Sequence, residues 1–114
     1  MTRINLVDPS ELCDKHLLAE YRELIRIPNA VWSGKMQTKY IDSPKQYTLG
    51  AGHVKFFVDK MLWLLERHQT LYSELLFREF NVTEIFWPSE MLDFFKNSRL
   101  FNDYNPSASE IDLN

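Results

Sequence analysis

Between residues 13 and 25 the apolar side chains recur three and four positions apart, as Cys13, Leu17, Leu18, Tyr21, Leu24 and Ile25. At the 100° per residue of an α-helix they fall in one sector of about 140°, a broad core face. The preceding DPSE supplies a start signal, with Asp8 as N-cap, Pro9 at the first helical position and Glu11 at the third. Proline cannot sit in a helix interior and disfavours helical geometry at the residue before it, so Pro28 predicts that this first helix ends near Arg26. Residues 27–50 contain Pro28, Gly34, Pro44 and Gly50, with Lys35, Lys39 and Lys45 spaced between Trp32, Tyr40 and Tyr47, and read as a loop with at most a short helical turn. From Ala51 to about Phe80 the chain is Pro-free and apolar on several sides, the pattern of a long, central, buried second helix. Residues 81–105 are irregular apart from SEMLDFFKN at 89–97, which predicts a short helix capped by Ser89. SASE at 107–110 is a capping box, Ser107 to Glu110, announcing a third helix that is expected to be incomplete, since the sequence ends at Asn114 about one turn later. The expected fold is all-α, one compact domain over residues 1–114.

Composition supports folding. A chain that is 45% hydrophobic and 14% aromatic is too rich in apolar side chains for a disordered segment. No run approaches about 18 uninterrupted apolar residues, and the start lacks the charged-then-apolar layout of a secretory signal, so a cytoplasmic protein with no membrane partner is expected. The single cysteine, Cys13, cannot form an internal disulfide and reads as core. The net charge of −3 argues at first against nucleic acid, yet it hides an asymmetry. Residues 1–60 carry nine Lys and Arg against seven Asp and Glu, a balance of +2, whereas residues 61–114 carry four against nine, a balance of −5. Any anion site therefore belongs to the first half.

Most candidate chemistry yields to plainer readings. His16, His53 and His68 lie far apart with no metal-ligand spacing, so no metal is expected. LGAGH at 49–53 has glycines ahead of a helix but lacks the rest of a phosphate loop, and His53 reads as a structural hydrogen-bonding residue at that helix start. His68 reads as surface or core edge. Phe56, Phe57, Trp63 and Tyr72 read as core rather than a base-stacking platform, and the acidic run after residue 61 as a solvated face.

One face of the first helix resists that treatment. His16, Ala19, Arg22, Glu23 and Arg26, with Lys15 at the edge, share a sector of about 120°. Alone, this is an ordinary charged surface, because exposed pairs contribute only about 0–1 kcal/mol. Thr2 and Arg3 change the balance. Methionine ahead of a small residue is ordinarily removed, which leaves Thr2 with a free α-amine whose unperturbed pKa of about 7.7–8.0 makes it a usable nucleophile near neutral pH. An amine that attacks an anomeric carbon forms an iminium that a carboxylate such as Glu23 can stabilise, while arginines hold flanking phosphates. With Met1 attached, the Thr2 nitrogen is an amide and cannot act in this way.

TRINL at 2–6, HLLAEYRE at 16–23 with Arg26, LGAGHVKFFVDK at 49–60 and DYNP at 103–106 together resemble the phage and viral pyrimidine-dimer DNA glycosylases of the endonuclease V type, in order and approximate spacing over nearly the whole chain. The resemblance implies a compact all-helical enzyme, helix one carrying the active-site face, that excises cyclobutane pyrimidine dimers from duplex DNA and nicks the abasic strand by β-elimination. Thr2 is then the α-amine nucleophile and Glu23 the essential carboxylate. Arg3, Arg22 and Arg26 are phosphate and dimer contacts, and His16 supports the geometry. Tyr21 matches the motif but points mostly inward on the helical wheel. The family bends DNA and extrudes a nucleotide opposite the lesion. No cofactor is implied, and the partner is double-stranded DNA carrying dimers or abasic sites, met as a monomer, inside the infected host cell if the source is viral. Family members carry a complete, basic C-terminal helix and often an aromatic-rich tail, which this sequence does not reach. The alternatives are a relaxed abasic-site lyase without dimer specificity, and a non-catalytic helical DNA-binding or interaction module.

Overall fold

A computed structural model of the protein describes residues 2–36 and 44–113. Lys39 and Tyr40 of the expected loop, and Met1, lie outside those residues. Among the described residues the regular structure is entirely helical.

The start signal at DPSE forms, but only as a 3-10 turn, Pro9–Glu11, with the Asp8 side chain accepting from the Ser10 N–H at 2.9 Å. Leu12 and Cys13 are extended, and helix α1 begins afterwards as Asp14–Leu24. Arg78 explains the interruption. Its guanidinium donates to the carbonyls of Pro9, Ser10 and Leu12 at 3.3, 3.2 and 2.7 Å and pairs with Asp14 at 2.9 Å and Glu74 at 2.8 Å. Carbonyls engaged by a distant cation need not continue a helical ladder. Cys13 consequently lies outside the helical periodicity and is exposed, not core. Leu17, Tyr21 and Leu24 are buried as the wheel requires, with Leu18 and Ile25 partly so.

Pro28 does not stop the chain's helical course. Helix α2, Arg26–Trp32, follows after a bend at Ile25 and holds Pro28 as its third residue. The break lies at Ile25 because a proline in the first turn lacks only an N–H that no intrahelical carbonyl would have accepted, and Ile27 and Pro28 are then buried.

The expected helix over 51–80 is likewise two elements, α3 (His53–Phe57) and α4 (Met61–Phe77). The opening N–H groups of α4 are taken by distant carbonyls, Met61 by Leu100 at 3.0 Å and Trp63 by Asn102 at 3.3 Å. Lys60 Nζ meanwhile bonds the Phe56 carbonyl at 2.9 Å and sits over the Phe56 ring. Met61, Leu64, Arg67, His68, Leu71 and Leu75 are the buried face of α4, against which α1 packs, so this helix is amphipathic rather than buried all round. Phe56 and Phe57 are core, edge-to-face at 5.0 Å, and Trp63 stacks on Phe57. Helix α5, Ser89–Lys96, starts after Pro88, so Ser89 is its first residue and not its cap. Helix α6, Ala108–Asp112, has the Ser107–Glu110 capping box with both reciprocal bonds formed. No helix among the described residues is long and apolar enough to cross a membrane.

Candidate active site

Residues 2–7 adopt neither helix nor strand, yet they are not loose. Ile4 is fully buried, Leu6 nearly so, and Thr2 is 8% exposed. The segment is held by side chains from four places in the fold. The Ile4 N–H donates to His53 Nε2 at 2.8 Å, and the Ile4 carbonyl accepts from the Tyr47 hydroxyl at 2.8 Å. Asn5 Nδ2 donates to Glu20 Oε1 at 2.7 Å, and the Val7 carbonyl accepts from Arg67.

Glu20 and Arg67 are themselves a buried pair, Nε to Oε2 at 2.8 Å with a second bond at 3.1 Å, the two side chains 1% and 6% exposed. Bidentate geometry plus Asn5 and Val7 satisfies both charges, which makes such burial tolerable. Neither residue was singled out by reasoning on the sequence. The available signal is that Glu20 falls in the Leu17–Tyr21–Leu24 stripe and Arg67 in the Leu64–Leu71 stripe, so each stripe carries one charge and the two charges are opposite.

Beside this leader lies a cleft of about 430 Å³, lined by Arg3 and Asn5 from the leader, Glu11, and His16, Ala19, Glu20 and Glu23 from α1, among others. The structure thus brings Arg3, His16 and Glu23 together on one surface. Arg26 belongs to α2 rather than α1, yet it reaches back to Glu23, Nη1 to Oε1 at 2.9 Å, with its own side chain 63% exposed. Arg22 is exposed on α1 and is not among the lining side chains. Thr2 is buried and does not line the cleft, although its neighbour Arg3 does. Tyr21 points inward: its hydroxyl accepts from the Ile85 N–H at 2.7 Å, and its ring stacks on Tyr72.

His53 is the structural hydrogen-bonding residue its motif suggests. Nδ1 meets the Thr48 carbonyl at 2.7 Å while Nε2 accepts from Ile4, which fixes the neutral Nδ1–H tautomer. Burial pushes its pKa below the ordinary 6.5. His68, expected at the surface or core edge, is instead buried: Nε2 bonds the Tyr21 carbonyl at 2.9 Å and Nδ1 accepts from the Trp87 indole at 3.0 Å. With both nitrogens hydrogen-bonded the neutral imidazole is satisfied in the interior, and burial pushes its pKa below the ordinary 6.5.

The cleft joins Arg3 of the buried N-terminal strap to Glu11, His16, Glu20 and Glu23, and Arg26 is tied to it through Glu23. The model of the pyrimidine dimer DNA glycosylase family matches residues 1–87, a span that contains the leader, α1, α2, α3 and α4.

Proposed function

The chain belongs to the pyrimidine dimer DNA glycosylase family, an enzyme family acting on dimer-containing DNA, and from that premise we propose how its own residues carry the reaction. The protein is a bifunctional glycosylase and abasic-site lyase in which the α-amine of Thr2, freed by loss of Met1, is the nucleophile and Glu23 the essential carboxylate. The observation that carries this reading is the cleft shared by Arg3, His16 and Glu23, with Arg26 paired to Glu23.

The amine lone pair attacks C1′ of a dimer nucleotide, the glycosidic C–N bond breaks, and its electron pair leaves with the base. The attached nitrogen then gives up a proton, its freed electron pair opens the C1′–O4′ bond, and O4′ takes up a proton, leaving an iminium between Thr2 and the sugar. Loss of a proton from C2′ supplies the electrons that expel the 3′ phosphate, and water hydrolyses the imine to restore the amine. Glu23 stabilises the cationic sugar and iminium, a role in which removal of a preorganised partner costs about 10²–10³ in rate. Arg3, Arg22 and Arg26 engage phosphates beside the lesion, and His16 supports the cleft wall. The enzyme works as a monomer in the cytoplasm.

Incubating Met1-free protein with ultraviolet-irradiated and unirradiated plasmid, with and without borohydride, tests the proposal. Nicks restricted to irradiated DNA and a covalent adduct only when Met1 is absent are expected. Equal nicking of both plasmids would remove the lesion-specific reading, and cleavage of a plain abasic duplex without cleavage of a dimer-containing one would replace it with a relaxed abasic-site lyase. A Glu23→Gln variant with full glycosylase activity would remove the role given to that carboxylate.

A further inference from the structure

The leader places the proposed nucleophile, so the groups that clamp the leader bear on the reaction without touching DNA. The peptide plane joining Arg3 to Ile4 is oriented by the bond from the Ile4 N–H to His53 Nε2, and the next plane by the bond from the Tyr47 hydroxyl to the Ile4 carbonyl, both 2.8 Å and both buried. With planar peptides, only three soft torsions then separate the Thr2 amine from a fixed plane: ψ of Thr2 and φ and ψ of Arg3. Successive Cα atoms are 3.8 Å apart, so the amine stays within about 8 Å of the clamp.

The clamp is built rather than incidental. His53 is presented by the entrance to α3, where Gly52 has φ +87° and a Cβ would meet Pro44 Cγ at 2.9 Å, so no other residue fits that turn without displacement. The His53 ring also packs edge-on against Tyr47 and Phe57. Tyr47 is fixed at its backbone by Glu110, whose carboxylate accepts the Tyr47 N–H at 2.8 Å while serving the α6 capping box. A bond path therefore runs from α6 through Glu110 and Tyr47 to Ile4, two residues from Thr2.

We infer that His53 and Tyr47 are positioning residues for the Thr2 amine, acting through the backbone of Ile4. The inference rests on the proposed role of Thr2. Only neutral His53 can serve. Protonation would turn Nε2 into a donor facing the Ile4 N–H, and the strap would lose its acceptor. Among the described residues, the charged and titratable groups that act on the ring include Arg3 from the leader, Glu20 from α1 and Tyr47, whose ring meets it edge-on. Arg3 and burial favour the neutral form, whereas Glu20 and the Thr48 carbonyl oppose them.

Single-turnover borohydride trapping of Met1-free protein on duplex carrying one preformed abasic site tests this. A misplacement of about 1 Å costs up to about a hundredfold, so His53→Leu is expected to trap roughly a hundredfold more slowly and Tyr47→Phe, which loses one hydroxyl, roughly tenfold. Duplex binding should stay within about threefold of wild type, since no phosphate contact is removed. His53→Gln keeps an acceptor near the place of Nε2 but does not titrate, and it should restore most of the rate. Below the pKa values of both the amine and His53, the logarithm of the wild-type rate should fall with a slope of about two per pH unit, and of His53→Gln about one. Tyr47→Phe remains informative even if His53→Leu does not fold. If wild type traps while Tyr47→Phe matches its rate, or if His53→Gln keeps the wild-type slope, the positioning role is overturned. Wild-type protein forming no adduct would instead overturn the role of Thr2.

Discussion

Replacing Arg67 by Met should separate stability from activity when paired with a second change at Glu20. Arg67 is 6% exposed and makes two bonds to Glu20, itself 1% exposed at the side chain, and one to the Val7 carbonyl. Methionine fills similar volume but leaves the carboxylate buried with Asn5 as its remaining hydrogen-bond donor among those described. Breaking a buried pair in this way costs about 3–5 kcal/mol. For 114 residues the unfolding entropy corresponds to roughly 4 °C per kcal/mol, so Tm should fall by about 12–20 °C, a large part of a total stability of about 5–15 kcal/mol. The double variant Glu20→Leu with Arg67→Met removes both charges. Its stability should return to within about 1 kcal/mol of wild type or exceed it, because apolar replacements of buried pairs are often neutral or stabilising by about 1–4 kcal/mol. Borohydride trapping should not return to the wild-type rate, because two of the four anchors described for the leader, Glu20 on Asn5 and Arg67 on Val7, are gone. Urea unfolding followed by tryptophan fluorescence, alongside borohydride trapping, reads both quantities. An Arg67→Met loss below about 1 kcal/mol would refute the buried-pair argument. A double variant that traps at the wild-type rate would refute the link from this pair to the site.

Glu79 sits at φ +65° just past α4, in a Schellman arrangement with Phe80 N–H on the Leu75 carbonyl and Glu79 N–H on Leu76, so Glu79→Gly should stabilise by roughly 0.5–1 kcal/mol in urea melts. The Glu110 carboxyl is held at about 2 by N–H groups of Ser107 and Tyr47; because its folded pKa is depressed, its contribution is present above the ordinary 4.5 and lost as pH falls through about 2, and Glu110→Gln should flatten acid unfolding across that window. Arg26→Ala should change stability by no more than about 1 kcal/mol, since the Arg26 side chain is 63% exposed, while lowering the salt slope of DNA binding by about one if Arg26 engages a phosphate.

Local signals were legible in the sequence where the relevant chemistry is local. The Ser107–Glu110 box and the Asp8 cap on Ser10 depend on neighbours within a few residues and both form, although the latter closes only a 3-10 turn, and the helical period alone turns Tyr21 inward. The breaks did not announce themselves because their causes lie far away in the chain. Arg78 takes the carbonyls near Leu12, and Leu100 and Asn102 take the opening N–H groups of α4. Hydrophobic periodicity runs unbroken across residues 58–60, so pattern alone joins what a tertiary hydrogen bond divides. The candidate site was legible in its residue types, with Arg3, His16 and Glu23 on one cleft, but the Glu20–Arg67 pair that supports it spans 47 positions and has no local signature.

That supporting layer matters because an N-terminal segment without regular structure is ordinarily poorly ordered. Fixing the six residues 2–7 costs about 6–12 kcal/mol in backbone entropy. Burying Ile4 and Leu6 contributes about 3–6 kcal/mol. The four bonds from His53, Tyr47, Glu20 and Arg67 contribute about 2–6 kcal/mol more. Each of these bonds is thus a sizeable share of what offsets the cost of ordering the strap. Losing an anchor such as the Tyr47 hydroxyl should therefore loosen residues 2–7 while the α1–α4 core stays packed, and hydrogen exchange should accelerate at the Ile4 amide ahead of the amides of α4. Simultaneous acceleration in both would mean that the strap and core open as one unit, and that damage to the strap cannot be told from global unfolding.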